Sequence, residues 1–198
     1  MPAKTKSKSA KKAAKSTRPR VKVVSEKQAY KGPVFGVTTF EVQEPGGVRA
    51  RRDVVTHSGS VVVIAVDEQR GHEPRVLLVR QYRHPARQYL WELPAGRRDE
   101  GEDAVEGAKR ELIEETGLTA RKWTHAFRFW ASPGFLDETM DLFLARNLTH
   151  GEAQPEEDEN IEMRWLPIPR AVRMCMNGEV QDAKTIAGVL WLARKMKL

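Results

Sequence analysis

Cysteine is almost absent from this chain: Cys175 is the single one among 198 residues. That count excludes a disulfide scaffold and a cysteine-built metal site, and it suits a reducing, cytoplasmic setting. Flanked by Met174 and Met176, the thiol reads as a packed core group rather than a nucleophile. No apolar run approaches the roughly 18–20 residues of a membrane span. The N-terminus carries no apolar stretch of the secretory kind either, so neither a membrane nor export is expected. The five histidines make no H-E-x-x-H spacing, which leaves zinc chemistry unsupported. A Gly-rich phosphate loop is missing, which argues against nucleotide-driven work.

Charge is plentiful but uneven. The chain has 34 Lys and Arg against 27 Asp and Glu, a formal +7. Nine of the basic residues fall within residues 1–22, which hold no acid, so the remainder has 25 basic against 27 acidic. The body is therefore not basic, and phosphate-backbone affinity needs clustered positive charge. Residues 1–22, built from Lys, Ala, Ser, Thr, Pro and Arg, have almost nothing to bury and are expected to form a disordered basic tail. The tail reads as a solubilising extension, with at most weak attraction to nucleic acid.

From Val34 the pattern turns to strands. Val34 to Val42 alternates imperfectly, and Glu44-Pro45-Gly46-Gly47 signals a turn before Val48 to Thr56. Ser60 to Val66 is a continuous β-branched run, the mark of a strand buried on both faces. Arg75 to Arg80 is another. Tyr89 to Leu93 reads as a short strand stopped by Pro94, with Ala95-Gly96 as a loop after it. A helix is predicted from Glu102 to Thr116, with an apolar stripe of Ala104, Val105, Ala108 and Leu112 and Gly117 as its C-terminal cap. Strand-like runs recur at Thr124 to Ala131, Met140 to Ala145 and Ile161 to Leu166. Two helical patterns follow, Pro169–Met176 and Asp182–Lys197, split by Asn177-Gly178. The order implies an α/β protein with a mixed sheet between helices.

The predicted helix carries an unusual face. Glu111, Glu114 and Glu115 lie at i, i+3 and i+4, so their carboxylates converge, and each like-charged pair costs roughly 0.2–0.5 kcal/mol. They also sit near the helix C-terminus, where the macrodipole disfavours negative charge. Lys109 and Arg110 offset part of this, as on a solvated, ion-paired face. The wider spacing is more specific. Gly96 is followed after five residues by Glu102, after seven more by Arg110-Glu111-Leu112, then by Glu114-Glu115 and Gly117-Leu118. This resembles the Nudix hydrolase box, G-x5-E-x7-R-E-U-x-E-E-x-G-U with U aliphatic, at all nine fixed positions.

The resemblance implies an α/β/α sandwich with a mixed sheet, plus a small N-terminal antiparallel β region. It implies metal-dependent hydrolysis of a nucleoside diphosphate linked to another group. An anionic diphosphate repels its nucleophile, so a divalent cation must neutralise it and activate water, and Mg²⁺ takes hard oxygen ligands. By resemblance Glu111 and Glu115 are ligands of Mg²⁺ or Mn²⁺, Glu114 is a ligand or close support, and the Ala95 carbonyl completes the shell. Glu102 and Arg110 resemble a pair that orients the carboxylates, and Gly96 lets the backbone turn tightly beside the metal.

Three flanking segments resemble the ADP-ribose pyrophosphatase branch of that family. They are Arg80-Gln81-Tyr82-Arg83-His84-Pro85 leading into Trp91-Glu92-Leu93-Pro94-Ala95-Gly96, then Ser132 to Glu138, then Asn177 to Thr185. Pro133 lies 16 residues beyond Gly117, a usual mark of the branch. In that likeness Arg83 grips the diphosphate, for which bidentate guanidinium geometry is suited. Ser132, Pro133, Gly134 and Glu138 belong to the loop at the terminal ribose. The acidic run Glu156-Glu157-Asp158-Glu159 supplies the general base, Glu159 or Glu157. Residues 23–57 form the N-terminal β region that mediates a homodimer, with Arg51 or Arg52 reaching the partner's substrate and Phe35 or Phe40 stacking on adenine. Residues 58–198 form the Nudix hydrolase domain. The expected activity is hydrolysis of ADP-ribose to AMP and ribose 5-phosphate. GDP-mannose or UDP-glucose is the alternative within the same mechanism. An RNA-associated role through the tail is the alternative outside it.

Overall fold

A computed structural model describes residues 20–69, 71–151 and 161–198. Its axis is β4 (Ser60–Asp67), the β-branched run, and successive side chains of a strand face opposite sides. Val61, Val63 and Ala65 pack with Leu77, Ala108, Leu112 and Phe143, whereas Val62, Ile64 and Val66 pack with Leu78, Leu142, Ile168 and Leu192. The predicted strand buried on both faces is thus the centre of two cores.

Beside it, in the order β10 (Glu162–Pro167), β5 (Arg75–Arg83), β4, β9 (Thr139–His150), β8 (Leu118–Trp130), runs a mixed sheet. The short β6 (Gln88–Glu92) pairs with β5 and β7 (Ala95–Arg97) with β4. β4 and β9 are parallel, and the other pairings are antiparallel. One face is covered by α1 (Ala104–Thr116), the other by α2 (Ile168–Met176) and α3 (Ala183–Met196). This is the α/β/α sandwich that the box implied.

Local chemistry sets the ends of α1. Asp103 accepts the Val105 N–H as its N-cap, and Gly117 closes the helix at φ 68°. The helix begins two residues after Glu102, because Asp103, extended at ψ 136°, is the cap and Ala104 the first helical residue. Fully burying a side chain such as Leu112 is worth about 1.5–3 kcal/mol. That exceeds the cost of the like-charged pairs on the same helix, so packing tolerates the acidic face.

Two expectations need correction. Ala95-Gly96 is not a loop but the start of β7, in register with Val62 and Val61 of β4; pairing with an unbroken central strand overrides the local turn chemistry. Lys22, assigned to the tail, opens β1 (Lys22–Lys31), a strand of the N-terminal β region that no residue pattern marked. Its residues are exposed along their whole length, so no alternation marks it. β1, β2 (Gly36–Gln43) and β3 (Arg49–Thr56) make a separate antiparallel sheet in which Val42 alone is buried. It is tied to the larger body by Val55 N–H to Phe135 O at 2.8 Å, Asp137 N–H to Val55 O at 3.0 Å and Arg97 Nη1 to Pro33 O at 2.6 Å. Among the described residues no helix is long and apolar enough to cross a membrane.

Candidate active site

Arg110 organises the acidic face of α1. Its Nε and Nη2 meet the two Glu102 oxygens, each at 3.1 Å, and Nη2 also donates to the Arg97 carbonyl at 3.0 Å. Its Nη1 donates to both Glu111 Oε1 and Glu114 Oε2 at 2.8 Å. One guanidinium therefore ties the β7–α1 connection to the helix. Hydrogen bonds to Glu102, and the Glu111 charge, raise the Arg110 pKa, while the Arg110 hydrogen bond holds Glu102 below its usual range.

The carboxylates crowd the backbone of β7. Glu111 is 9% exposed and Glu115, one turn on, 5%. A Cβ added at Gly96 would overlap the Glu111 carboxylate, so a larger residue here would push that carboxylate out of its place. Ala95, Gly96, Glu111 and Glu114 line one cleft of about 250 Å³, with Val34 from the bend between β1 and β2 in its wall. Among the described residues no three His, Cys, Asp or Glu side chains already converge as a metal-holding group. What the cleft offers is carboxylate oxygen beside the Ala95–Gly96 segment, with Arg110 on both Glu111 and Glu114.

A second charge cluster, missed in the sequence, adjoins the first. Arg83 docks on Glu92 through Nε at 2.8 Å and Nη2 at 2.9 Å. Lys184 at the head of α3 meets Glu92 Oε2 at 2.5 Å and Asp182 Oδ1 at 3.0 Å. The Glu92 hydrogen bonds raise the Arg83 pKa, with Glu115 and Asp182 adding smaller contributions. Glu92 and Lys184 both stood in the flanking segments already singled out; their separation of 92 residues hid the pair.

The segment 132–138 is folded against β3 and β4. The Ser132 carbonyl accepts the Phe135 and Leu136 N–H groups. Glu138 Oε1 accepts Ser60 Oγ–H at 2.5 Å and lies 3.6 Å from His57 Nδ1. Pro133 and Gly134 border a different cleft, of about 410 Å³, together with Arg52, Trp130 and Phe135. Arg52 pairs with Glu44 at 2.8 Å, and Arg51 pairs with Asp53 at 3.0 Å, both on exposed β3. Phe35 is exposed and lies 5.6 Å from the Tyr30 ring, while Phe40 is half-buried in β2. Glu157 and Glu159 lie outside the described residues. At the start of β10, Glu162 is the register partner of Arg80.

Another cluster was missed: the buried Asp141 carboxylate holds Arg128 at 2.7 Å and His125 at 2.9 Å. Burial pushes Asp141 up, but these two partners outweigh it and lower its pKa. Cys175 is half-buried, and burial raises its thiol pKa.

The comparisons with known proteins agree with this arrangement. The family description "NUDIX domain" matches residues 56–188. The chain is 36% identical over 179 residues to ADP-ribose pyrophosphatase of Bacillus subtilis (strain 168), covering 89% of this chain and 95% of that protein. It is 39% identical over 171 residues to ADP-ribose pyrophosphatase of Mycobacterium tuberculosis (strain ATCC 25618 / H37Rv), covering 84% and 80%. A solved structure described as an ADP compounds hydrolase superposes with a TM-score of 0.78 at 18% identity, over 92% of this chain and 97% of that one, a likeness of fold.

Proposed function

This chain belongs to the NUDIX family of hydrolases, and from that premise we propose that it cleaves the diphosphate of ADP-ribose with water, releasing AMP and ribose 5-phosphate. The observation that carries the reading is the cleft where Glu111 and Glu114 face the Ala95–Gly96 backbone, with the Glu111 carboxylate in the space a Cβ at 96 would take. The similar proteins named ADP-ribose pyrophosphatase support the substrate.

The donor set fits a hard divalent cation, Mg²⁺ or Mn²⁺, since all its atoms are oxygens and Glu111 and Glu115 are withdrawn from solvent. The Ala95 carbonyl, Glu111, Glu114 and Glu115 would hold it. When bound, such a cation neutralises the diphosphate and makes water a better nucleophile. Arg110, braced on Glu102, orients the carboxylates. Arg83 holds the diphosphate with the edge of its guanidinium that Glu92 does not use. Glu159, or Glu157 in its place, takes the proton from water. Ser132, Pro133, Gly134 and Glu138 receive the ribose end. Residues 23–57 pair with a second copy, bringing Arg51 or Arg52 across; a sheet with one buried residue has no core of its own and gains one on pairing. We place the protein in the cytoplasm, where its lone thiol stays reduced.

The test is a substrate panel: ADP-ribose, NADH, GDP-mannose, UDP-glucose and capped RNA, each with Mg²⁺. ADP-ribose is expected to give the highest kcat/KM; a clear preference for GDP-mannose or UDP-glucose would overturn the substrate while leaving the reaction class. Glu159→Gln is expected to lower kcat by about 10²–10⁴-fold with little change in KM, against Glu156→Gln as a matched control. If Glu159→Gln and the double variant Glu157→Gln/Glu159→Gln both keep activity within about tenfold, the base lies elsewhere.

A further inference from the structure

Glu92 is 2% exposed, and a buried carboxylate stays charged only when cations meet it. Arg83 supplies one, but its side chain is 40% exposed and reaches Glu92 from the solvent side. Lys184 supplies the other from the interior, on the same Oε2 that Arg83 Nη2 uses. Burial pushes the Glu92 carboxyl up, yet the Arg83 hydrogen bonds and the Lys184 charge outweigh it and hold it below its usual range. The carboxylate therefore has both oxygens committed.

The grip extends beyond Glu92. Asp182 caps α3 by accepting the Thr185 N–H and Oγ–H, and it also braces Lys184. Thr185 Oγ1 in turn accepts the Leu93 N–H at 2.7 Å. The first turn of α3 thus holds two successive residues, 92 and 93, although α3 contributes no group to the carboxylate cleft. A guanidinium has five N–H donors in a rigid fork. Docking Nε and Nη2 on Glu92 fixes the plane of that fork and leaves the Nη1 edge for another anion.

We infer that Lys184 is a positioning residue for the substrate: by holding the Glu92 carboxylate in one orientation, it sets the angle at which Arg83 presents its outer edge to the diphosphate. This rests on the reading of Arg83 as the diphosphate-binding arginine. Lys184 touches no substrate; it acts through Glu92. A filler role for the buried lysine would lower stability alone, whereas positioning moves KM.

The experiment compares Lys184→Met, Lys184→Arg and Asp182→Asn, each in wild-type and Arg83→Ala backgrounds, with folding checked by near-ultraviolet circular dichroism. Lys184→Met is expected to raise KM for ADP-ribose about tenfold while kcat changes less than about twofold, and Lys184→Arg to restore most of the loss. In the Arg83→Ala background Lys184→Met should add less than about a further twofold, because the two side chains act as one unit. Equal factors in both backgrounds, or an unchanged KM, would overturn the inference. If Lys184→Met does not fold, Asp182→Asn keeps the cap, Asn being an equally good N-cap, and must raise KM in the same direction for the inference to stand. A second readout needs no turnover: the Arg83 Nε–H resonance, assigned with Arg83→Lys, should be slow to exchange in the wild type, broaden in Lys184→Met and return in Lys184→Arg. A resonance unaffected by Lys184→Met overturns the inference even if activity falls. A wild type inactive on ADP-ribose defeats the substrate reading instead, and the resonance still decides the role of Lys184.

Discussion

Two charge clusters grip the same stretch of chain, residues 92–97, and they are built on opposite principles. The Arg110 cluster sets one cation among three carboxylates, Glu102, Glu111 and Glu114. The Glu92 cluster sets two cations, Arg83 and Lys184, among two carboxylates, Glu92 and Asp182. A balanced set can be buried, and Glu92 and Lys184 are. An unbalanced one keeps a negative excess, which is an invitation to a cation from outside. Charge balance thus separates a cluster that is neutral as folded from one left with surplus negative charge.

The comparison breaks most visibly in activity. Glu115→Gln removes a further buried carboxylate of the same helix, one turn beyond Glu111, and keeps the side-chain shape. It should cut metal-dependent turnover by more than about a hundredfold, beyond the 10–100-fold typical of partners outside the ligand shell, without lowering Tm. Near-wild-type kcat at saturating Mg²⁺ would end the assignment of Glu115 as a ligand. Glu92→Gln is expected to behave the other way round in stability. Removing one partner of a buried ion pair costs about 3–5 kcal/mol, at the lower end here because Arg83 remains half in solvent. Tm should fall by roughly 2–4 °C for each kcal/mol in a domain of this size, as read by calorimetry. A Glu92→Gln protein as stable as wild type would show that the balanced cluster contributes nothing to the fold.

A smaller contrast comes from Glu114→Gln, whose carboxylate is partly exposed; it should change stability by less than about 1 kcal/mol. The smallest effect sharpens the comparison through pH. The Glu92 pKa is lowered in the folded chain, so its stabilisation is fully present above the usual carboxylate value of 4.5 and is lost as pH falls through the lowered one. Between about pH 6 and 3, stability of Glu92→Gln should therefore fall less steeply than that of the wild type. Parallel slopes in urea melts would contradict the paired state of Glu92.

The features legible in the sequence are those set by neighbours along the chain. The β-branched run of β4, the acidic face and Gly117 cap of α1, and the glycine turn before β3 each follow from local periodicity or backbone freedom. β1 was not legible, because a strand exposed along its whole length shows no hydrophobic alternation. β7 was not, because its three residues are extended only through pairing with β4. Within the site, Arg110 and Glu102 were readable as a pair because the box spacing joins them. The Glu92–Lys184 pair joins positions 92 residues apart, and the Asp141–Arg128 pair depends on the register of β8 with β9, so only folding brings either together.

The parallel pairing of β4 with β9 has a consequence for how the molecule is made. Ser60 pairs with Met140 and Ala65 with Ala145, so the whole of α1, with its carboxylates, lies inside the loop that this pairing closes. Closing so long a loop costs entropy before any contact rewards it, and non-local pairings of this kind slow folding. The three-stranded N-terminal sheet, whose strands are neighbours in sequence, faces no such delay. During synthesis the carboxylate helix emerges before β9 and α3 exist, so the Glu92 cluster is completed last, when α3 brings Lys184 to Glu92 and Thr185 to Leu93.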